Sequence, residues 1–304
     1  MPFANSKGVQ LYFEEAGKGV PIVFVHEFSG DLRSWEAQMR HFSRRYRCIA
    51  FNARGYPPSD VPDSASKYSY AAAVGDIASV MQHLGVAKAH VIGCSMGAYA
   101  TLQFGLRYPR MARSLTTVGA GAGSDPAKRA QFLKATIETA QRFEREGLGP
   151  AMKAYRTAPN RIQLENKDPR AFREFFTRFS EHSALGHANT LRGVQMHRPS
   201  IYDLARGLAR MKVPTHLIAG DEDDGSLAPA LFIKRVCPAA RLTIVPATGH
   251  VVNVEEPAHF NRITDEFLAL VDSGRWRPRD PRSYNPSTMA TATRRTRPRN
   301  NLGK

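Results

Sequence analysis

Ala89-His90-Val91-Ile92-Gly93-Cys94-Ser95-Met96-Gly97 carries the chain from a mostly apolar run straight into a helical pattern over residues 97–108, with no loop between them. A short run of this kind over 89–93 is what a parallel strand buried on both faces requires. Gly93-Cys94-Ser95-Met96-Gly97 fits G-x-S-x-G, the sharp turn that lifts a serine side chain above the end of a strand. The pattern alone is weak; its place between a strand and a helix gives it meaning. Space demands the flanking glycines, because a Cβ at either would collide with the neighbouring strand or helix.

Outward from this turn the same rhythm recurs. Residues 9–15 alternate, 21–25 form a continuous apolar run, and 47–51, 114–118, 215–219 and 242–245 read as further strands. Helical patterns cover 32–42, 70–84, 97–108, 229–236 and 257–271. Strand and helix in alternation imply an α/β fold, with a mostly parallel central sheet and helices on both faces. Residues 124–210 break the rhythm: they hold helical periodicities and no convincing strand. Phe172, Phe175, Phe176 and Phe179 recur there at helical spacing and read as a local core. An all-helical insert between two strands falls at the carboxyl edge of the sheet, where such sheets bind ligands, so 124–210 is a candidate lid. The expected division is a core of 1–123 and 211–273, the lid, and a tail of 274–304.

The chain has 304 residues, 42% of them hydrophobic and 23% charged, which supplies a sizeable core and excludes disorder throughout. The net charge of +16 is unevenly placed. The tail carries 9 Lys/Arg against 1 Asp among Pro, Ser, Thr and Asn, and is expected to be disordered, above all beyond about Pro278, with Trp276 the one residue able to anchor it. The insert carries 16 Lys/Arg against 9 Asp/Glu, a field expected to draw in anionic substrates. The remainder is nearly balanced, so nucleic acid is not the expected primary partner. Cys48, Cys94 and Cys237 are too few and scattered for a disulfide framework. No run approaches the length of a membrane span, and residues 1–7 lack the apolar core of a signal peptide. The expected setting is cytoplasmic, with no membrane partner.

A serine needs a base and a group to orient that base. Two loops supply them in the order Ser, acid, His: Gly220-Asp221-Glu222-Asp223-Asp224-Gly225 after the strand 215–219, and Ala247-Thr248-Gly249-His250 after the strand 242–245. All three loops leave the same edge of a parallel sheet and can converge.

With these motifs the chain resembles α/β-hydrolase-fold serine hydrolases of the esterase type over residues 8–272, in Gly93–Gly97, Gly220–Asp223, Gly249-His250 with Glu256-Pro257, and His26 with Gly30. Arg54-Gly55-Tyr56-Pro57-Pro58-Ser59-Asp60 is similar to the family's R-G-x-G-x-S loop, with Pro57 in place of the second glycine. The resemblance implies Ser95 as nucleophile, His250 as base and Asp223 as its partner, the other loop acids being solvated or loop-shaping. It implies an oxyanion hole from the backbone N–H groups of Phe28 and Met96. Where the family has His-Gly, this chain has His26-Glu27; Glu27 is expected to turn away and be hydrogen-bonded, the alternative being contact with a polar or cationic substrate group. Trp35, Tyr155, Arg192 and His197 are further substrate-binding candidates.

The implied reaction is hydrolysis of a small-molecule carboxylic ester through an acyl-enzyme. Lactone, thioester or carbon–carbon bond hydrolysis, perhydrolysis or acyl transfer are alternatives on the same fold, and a ligand-binding receptor is a separate class. No cofactor is implied. His182 and His187 have no third ligand at metal spacing, so no metal is expected. The partner is a small-molecule substrate, with self-association into a homo-oligomer left open.

Overall fold

The chain begins with a strand that the sequence pattern does not announce. In the computed structural model, which describes residues 2–284, β1 (Phe3–Ser6) pairs antiparallel with β2 (Val9–Ala16). Lys7 and Gly8 join them, both with positive φ (54° and 84°), which is the two-residue turn a twisted hairpin prefers. β2 in turn pairs antiparallel with β4 (Tyr46–Phe51). The other strands are parallel: β3 (Val20–Val25), β5 (Ala89–Cys94), β6 (Ala112–Val118), β7 (Thr215–Gly220) and β8 (Ala240–Val245), in the order β1-β2-β4-β3-β5-β6-β7-β8. β5, whose six residues are all buried, lies between β3 and β6 at the centre of the sheet.

Helices cover both faces, as expected. α1 (Glu36–Phe42) contributes Phe42 to one apolar cluster, while α2 (Tyr70–His83) and α3 (Met96–Arg107) contribute Ile77, Leu102 and Phe104 to the other. Between β6 and β7 the chain forms α4 (Arg129–Glu146), α5 (Leu148–Arg156), α6 (Ile162–Lys167), α7 (Pro169–Ser180), α8 (Ala184–Thr190) and α9 (Ala205–Arg210). A π-helical turn, Leu191–Gln195, follows α8. The insert contains no strand, and Phe172, Phe175, Phe176 and Phe179 are all buried in one apolar cluster with Phe28, Phe143 and Val118.

α10 (Asp224–Val236), α11 (Val252–Glu255) and α12 (Pro257–Asp272) complete the α-helices among the described residues. α10 extends the helical pattern of 229–236 by five residues at its start. Asp224 stands at its first position, where the positive end of the helix favours an acid. No described helix is long and apolar enough to cross a membrane.

The tail expectation needs correcting for residues 274–284. Trp276 N–H donates to the Leu270 carbonyl at 2.9 Å and Arg279 N–H to the Pro238 carbonyl at 2.8 Å. The indole packs on both apolar clusters and under the Arg241 guanidinium. Proline and charge predict a solvated strand, but one aromatic ring with an apolar face to cover is enough to anchor it. Trp276→Ala is therefore expected to lower stability by about 2 kcal/mol, seen as a lower urea midpoint at unchanged slope. The remainder of the expected tail, 285–304, lies outside the described residues.

Candidate active site

Ser95 stands where β5 ends and α3 begins. Its N–H donates to the Val118 carbonyl at 2.7 Å, and its backbone is held at φ 52°, ψ −111°, a region that costs a non-glycine residue about 1–3 kcal/mol. The turn is tight for the reason the sequence suggests. A Cβ on Gly93 would lie 2.3 Å from the Gly97 carbonyl oxygen, and one on Gly97 would lie 2.2 Å from that of Val25. The serine is left partly exposed at the carboxyl edge of the sheet.

His250 and Asp223 meet as the loop order suggests. His250 Nδ1 donates to Asp223 Oδ2 at 2.7 Å, with both side chains buried. Burial pushes the Asp223 carboxyl up, but the adjacent His250 ring and the Ser226 hydroxyl outweigh it and hold the group below the usual carboxylate range. With Nδ1 engaged, Nε2 is the ring nitrogen left for chemistry. Ser95 and His250 line one cavity, and no hydrogen bond joins their side chains among the described residues. The neighbouring acids shape the loops: Asp221 Oδ1 accepts from Thr248 N–H at 3.1 Å, and Glu222 accepts from Gln163.

Glu255 is a residue the motif reading misses. Its carboxylate accepts from Gly249 N–H at 2.8 Å and Val251 N–H at 3.3 Å, clamping the peptides on either side of His250. The local signal is an acid five residues after the histidine, at the end of α11. Removing the clamp frees the loop that carries the ring. Glu255→Ala is expected to lower kcat about 10- to 100-fold and Glu255→Gln less, by steady-state kinetics.

The segment after β3 is held by His26. Ala53 N–H donates to its Nε2 at 3.0 Å, which makes Nδ1 the protonated nitrogen; Nδ1 lies 2.7 Å from the Glu27 carbonyl oxygen. Burial pushes the ring's pKa down, so this neutral form is favoured. Since the Glu27–Phe28 peptide is planar and trans, fixing its carbonyl aims the Phe28 N–H to the opposite side. That N–H meets no backbone acceptor among the described residues, and Phe28 lines the cavity with Ser95. Met96 is the first residue of α3, so its N–H has no carbonyl within the helix.

The cavity measures about 310 Å³. Of the substrate-binding candidates, Glu27 and Tyr155 line it. Trp35, Arg192 and His197 do not. Trp35 is fully buried between the Phe24 and Phe260 rings, Arg192 is paired with Glu144, and His197 is exposed. The next residue, Arg198, lines the cavity instead. A π-helical turn precedes it, in which Met196 N–H reaches back five residues to the Leu191 carbonyl.

Glu27 is hydrogen-bonded, as expected, yet it is not turned away. Its Oε2 accepts from Arg161 Nη2 at 2.9 Å, with both residues buried in the cavity wall. Burial raises the Glu27 carboxyl, and the facing Arg161 charge together with His250 brings it below its ordinary value. Arg161 comes from the insert, beside Asn160, whose carbonyl accepts from His250 N–H at 3.0 Å.

The alpha/beta hydrolase fold family matches this chain over residues 20–257, and the chain belongs to that family. It is 26% identical over 274 residues to a Bacillus subtilis protein provisionally named 2-succinyl-6-hydroxy-2,4-cyclohexadiene-1-carboxylate synthase, covering 88% of this chain and 97% of that one. It is 23% identical over 251 residues to 3-oxoadipate enol-lactonase 1 of Acinetobacter baylyi, covering 82% and 89%. Among solved structures, a thermophilic esterase from Thermogutta terrifontis superposes with a TM-score of 0.77 at 24% identity, covering 89% of this chain and 97% of the esterase.

Proposed function

We propose that this chain is a serine hydrolase acting on small-molecule carboxylic esters. The observation that carries the reading is the 2.7 Å bond from His250 to Asp223 in a cavity that His250 shares with the strained Ser95. Ser95 Oγ attacks the carbonyl while His250 Nε2 takes its proton. Asp223 holds the ring and balances the imidazolium that forms. The N–H groups of Phe28 and Met96 receive the oxyanion. His250 then protonates the leaving alcohol and activates the water that releases the acid.

The insert 124–210 acts as a lid in this reading. What supports it is Asn160 and Arg161 reaching the His250 loop and the Glu27 side chain from one short turn. A lactone substrate uses every step equally, and the likeness to an enol-lactonase favours keeping it beside the open-chain ester.

The test is covalent labelling together with turnover. A fluorophosphonate probe is expected to add once, at Ser95, and an ester and lactone panel of graded chain length is expected to give repeated turnover. Labelling elsewhere, or no turnover of any ester or lactone, overturns the reading. A single equivalent of product per protein would instead mark a receptor that reacts once.

A further inference from the structure

Four ionisable side chains of Glu, Arg and His type line the cavity: Glu27, Arg161, His250 and Arg198. Glu27 answers Arg161, and Asp223 answers His250. Arg198 has no carboxylate within ion-pair distance among the described residues, although it is only 6% exposed. Its Nη2 donates to the Ala122 carbonyl at 2.7 Å, and its guanidinium carbon lies 4.9 Å from the Tyr99 ring centroid. Nε and Nη1 have no hydrogen-bond partner among the described residues. Arg129, a second cation, donates to the Arg198 carbonyl at 2.7 Å and adds to the positive field. Burial, with Arg129 nearby, lowers the Arg198 pKa to about 10, which leaves it charged at neutral pH.

A buried cation without a counter-charge is costly, and such groups concentrate where a ligand completes them. The ligand must be anionic, small enough for about 310 Å³, and reach the cavity that Ser95 opens into. We propose that Arg198 is a specificity-determining residue that receives a carboxylate of the substrate, so that the preferred substrates are esters or lactones bearing a free carboxylate away from the scissile bond. This rests on the hydrolase reading above. It differs from a general attraction by the basic insert, because one guanidinium inside the cavity, not a diffuse field, makes the selection.

The experiment compares two substrates of equal length, the 4-nitrophenyl monoester of glutaric acid and 4-nitrophenyl pentanoate, with wild type, Arg198→Gln and Arg198→Lys at one ionic strength. The ratio of kcat/KM, acid over neutral, is expected to fall on the order of 30-fold in Arg198→Gln and less in Arg198→Lys, which keeps the charge but loses the planar fork. An unchanged ratio in Arg198→Gln overturns the proposal and leaves the arginine as a tie between Ala122 and Tyr99. A second measurement does not depend on turnover: calorimetric binding of glutarate to Ser95→Ala with and without Arg198→Gln. Binding weakened at least tenfold by Arg198→Gln supports the carboxylate site even if no ester or lactone is hydrolysed, a result that would sink the hydrolase reading alone. Binding that ignores Arg198 overturns the site.

Discussion

Ser95→Ala is expected to lower kcat for ester substrates on the order of 10,000-fold or more while the protein folds as before. The side chain contributes no described hydrogen bond to the fold, so its loss is felt in chemistry alone. The same residue sits at φ 52°, which a glycine adopts freely. Ser95→Gly is therefore expected to abolish turnover yet gain about 1 kcal/mol of stability, the released strain being partly offset by glycine's greater freedom when unfolded. Stopped assays with a 4-nitrophenyl ester and urea titrations separate the two effects. His250→Ala should match Ser95→Ala, and Asp223→Asn should lose up to about 10,000-fold through the wrong ring tautomer. Near-normal turnover in Ser95→Ala would show that another group is the nucleophile.

Glu27→Gln is expected to destabilise the protein by about 3–5 kcal/mol, because it leaves the buried Arg161 guanidinium without its counter-charge. Replacing both, as Glu27→Leu with Arg161→Met, should recover most of that loss, since two apolar side chains avoid the desolvation cost altogether. Urea midpoints of wild type, Glu27→Leu, Arg161→Met and the double variant form the cycle, and a single variant as stable as wild type would show that water reaches the pair. The carboxyl of Glu27 is held below its ordinary value of 4.5. Its contribution to stability is thus fully present above pH 4.5 and is lost as pH falls through the lower folded value. Asp223, also held down, acts in the same direction, so an acid titration of Glu27→Gln should show a shallower loss of stability than wild type.

Much of the molecule was legible because the signals are local. Alternation marks β2, apolar or mostly apolar runs mark β3 and β5, and helical spacing marks α2, α3 and α12. Gly93 and Gly97 announce a turn in which no Cβ fits, and His250 and the acidic loop sit at strand ends that a parallel sheet gathers on one edge. The hairpin strand β1 escaped because four residues are too short for a period, leaving only Lys7-Gly8 as a turn signal.

The alternation of strands and helices from β2 onward, the tight turn at Ser95, and the acid and histidine at one sheet edge are thus legible in the residues alone. Their periods and turns depend on neighbours a few residues apart. Packing in three dimensions was needed to reveal that Glu27 pairs with Arg161, 134 residues away, that Glu255 clamps the His250 loop, that Arg198 rather than His197 enters the cavity, and that Trp276 docks. Each of these depends on how the helical insert or the chain's end packs against the sheet. A π-helical turn, a buried ion pair and a docked indole draw their free energy from surfaces brought together by folding, which leaves no periodic trace in the order of residues.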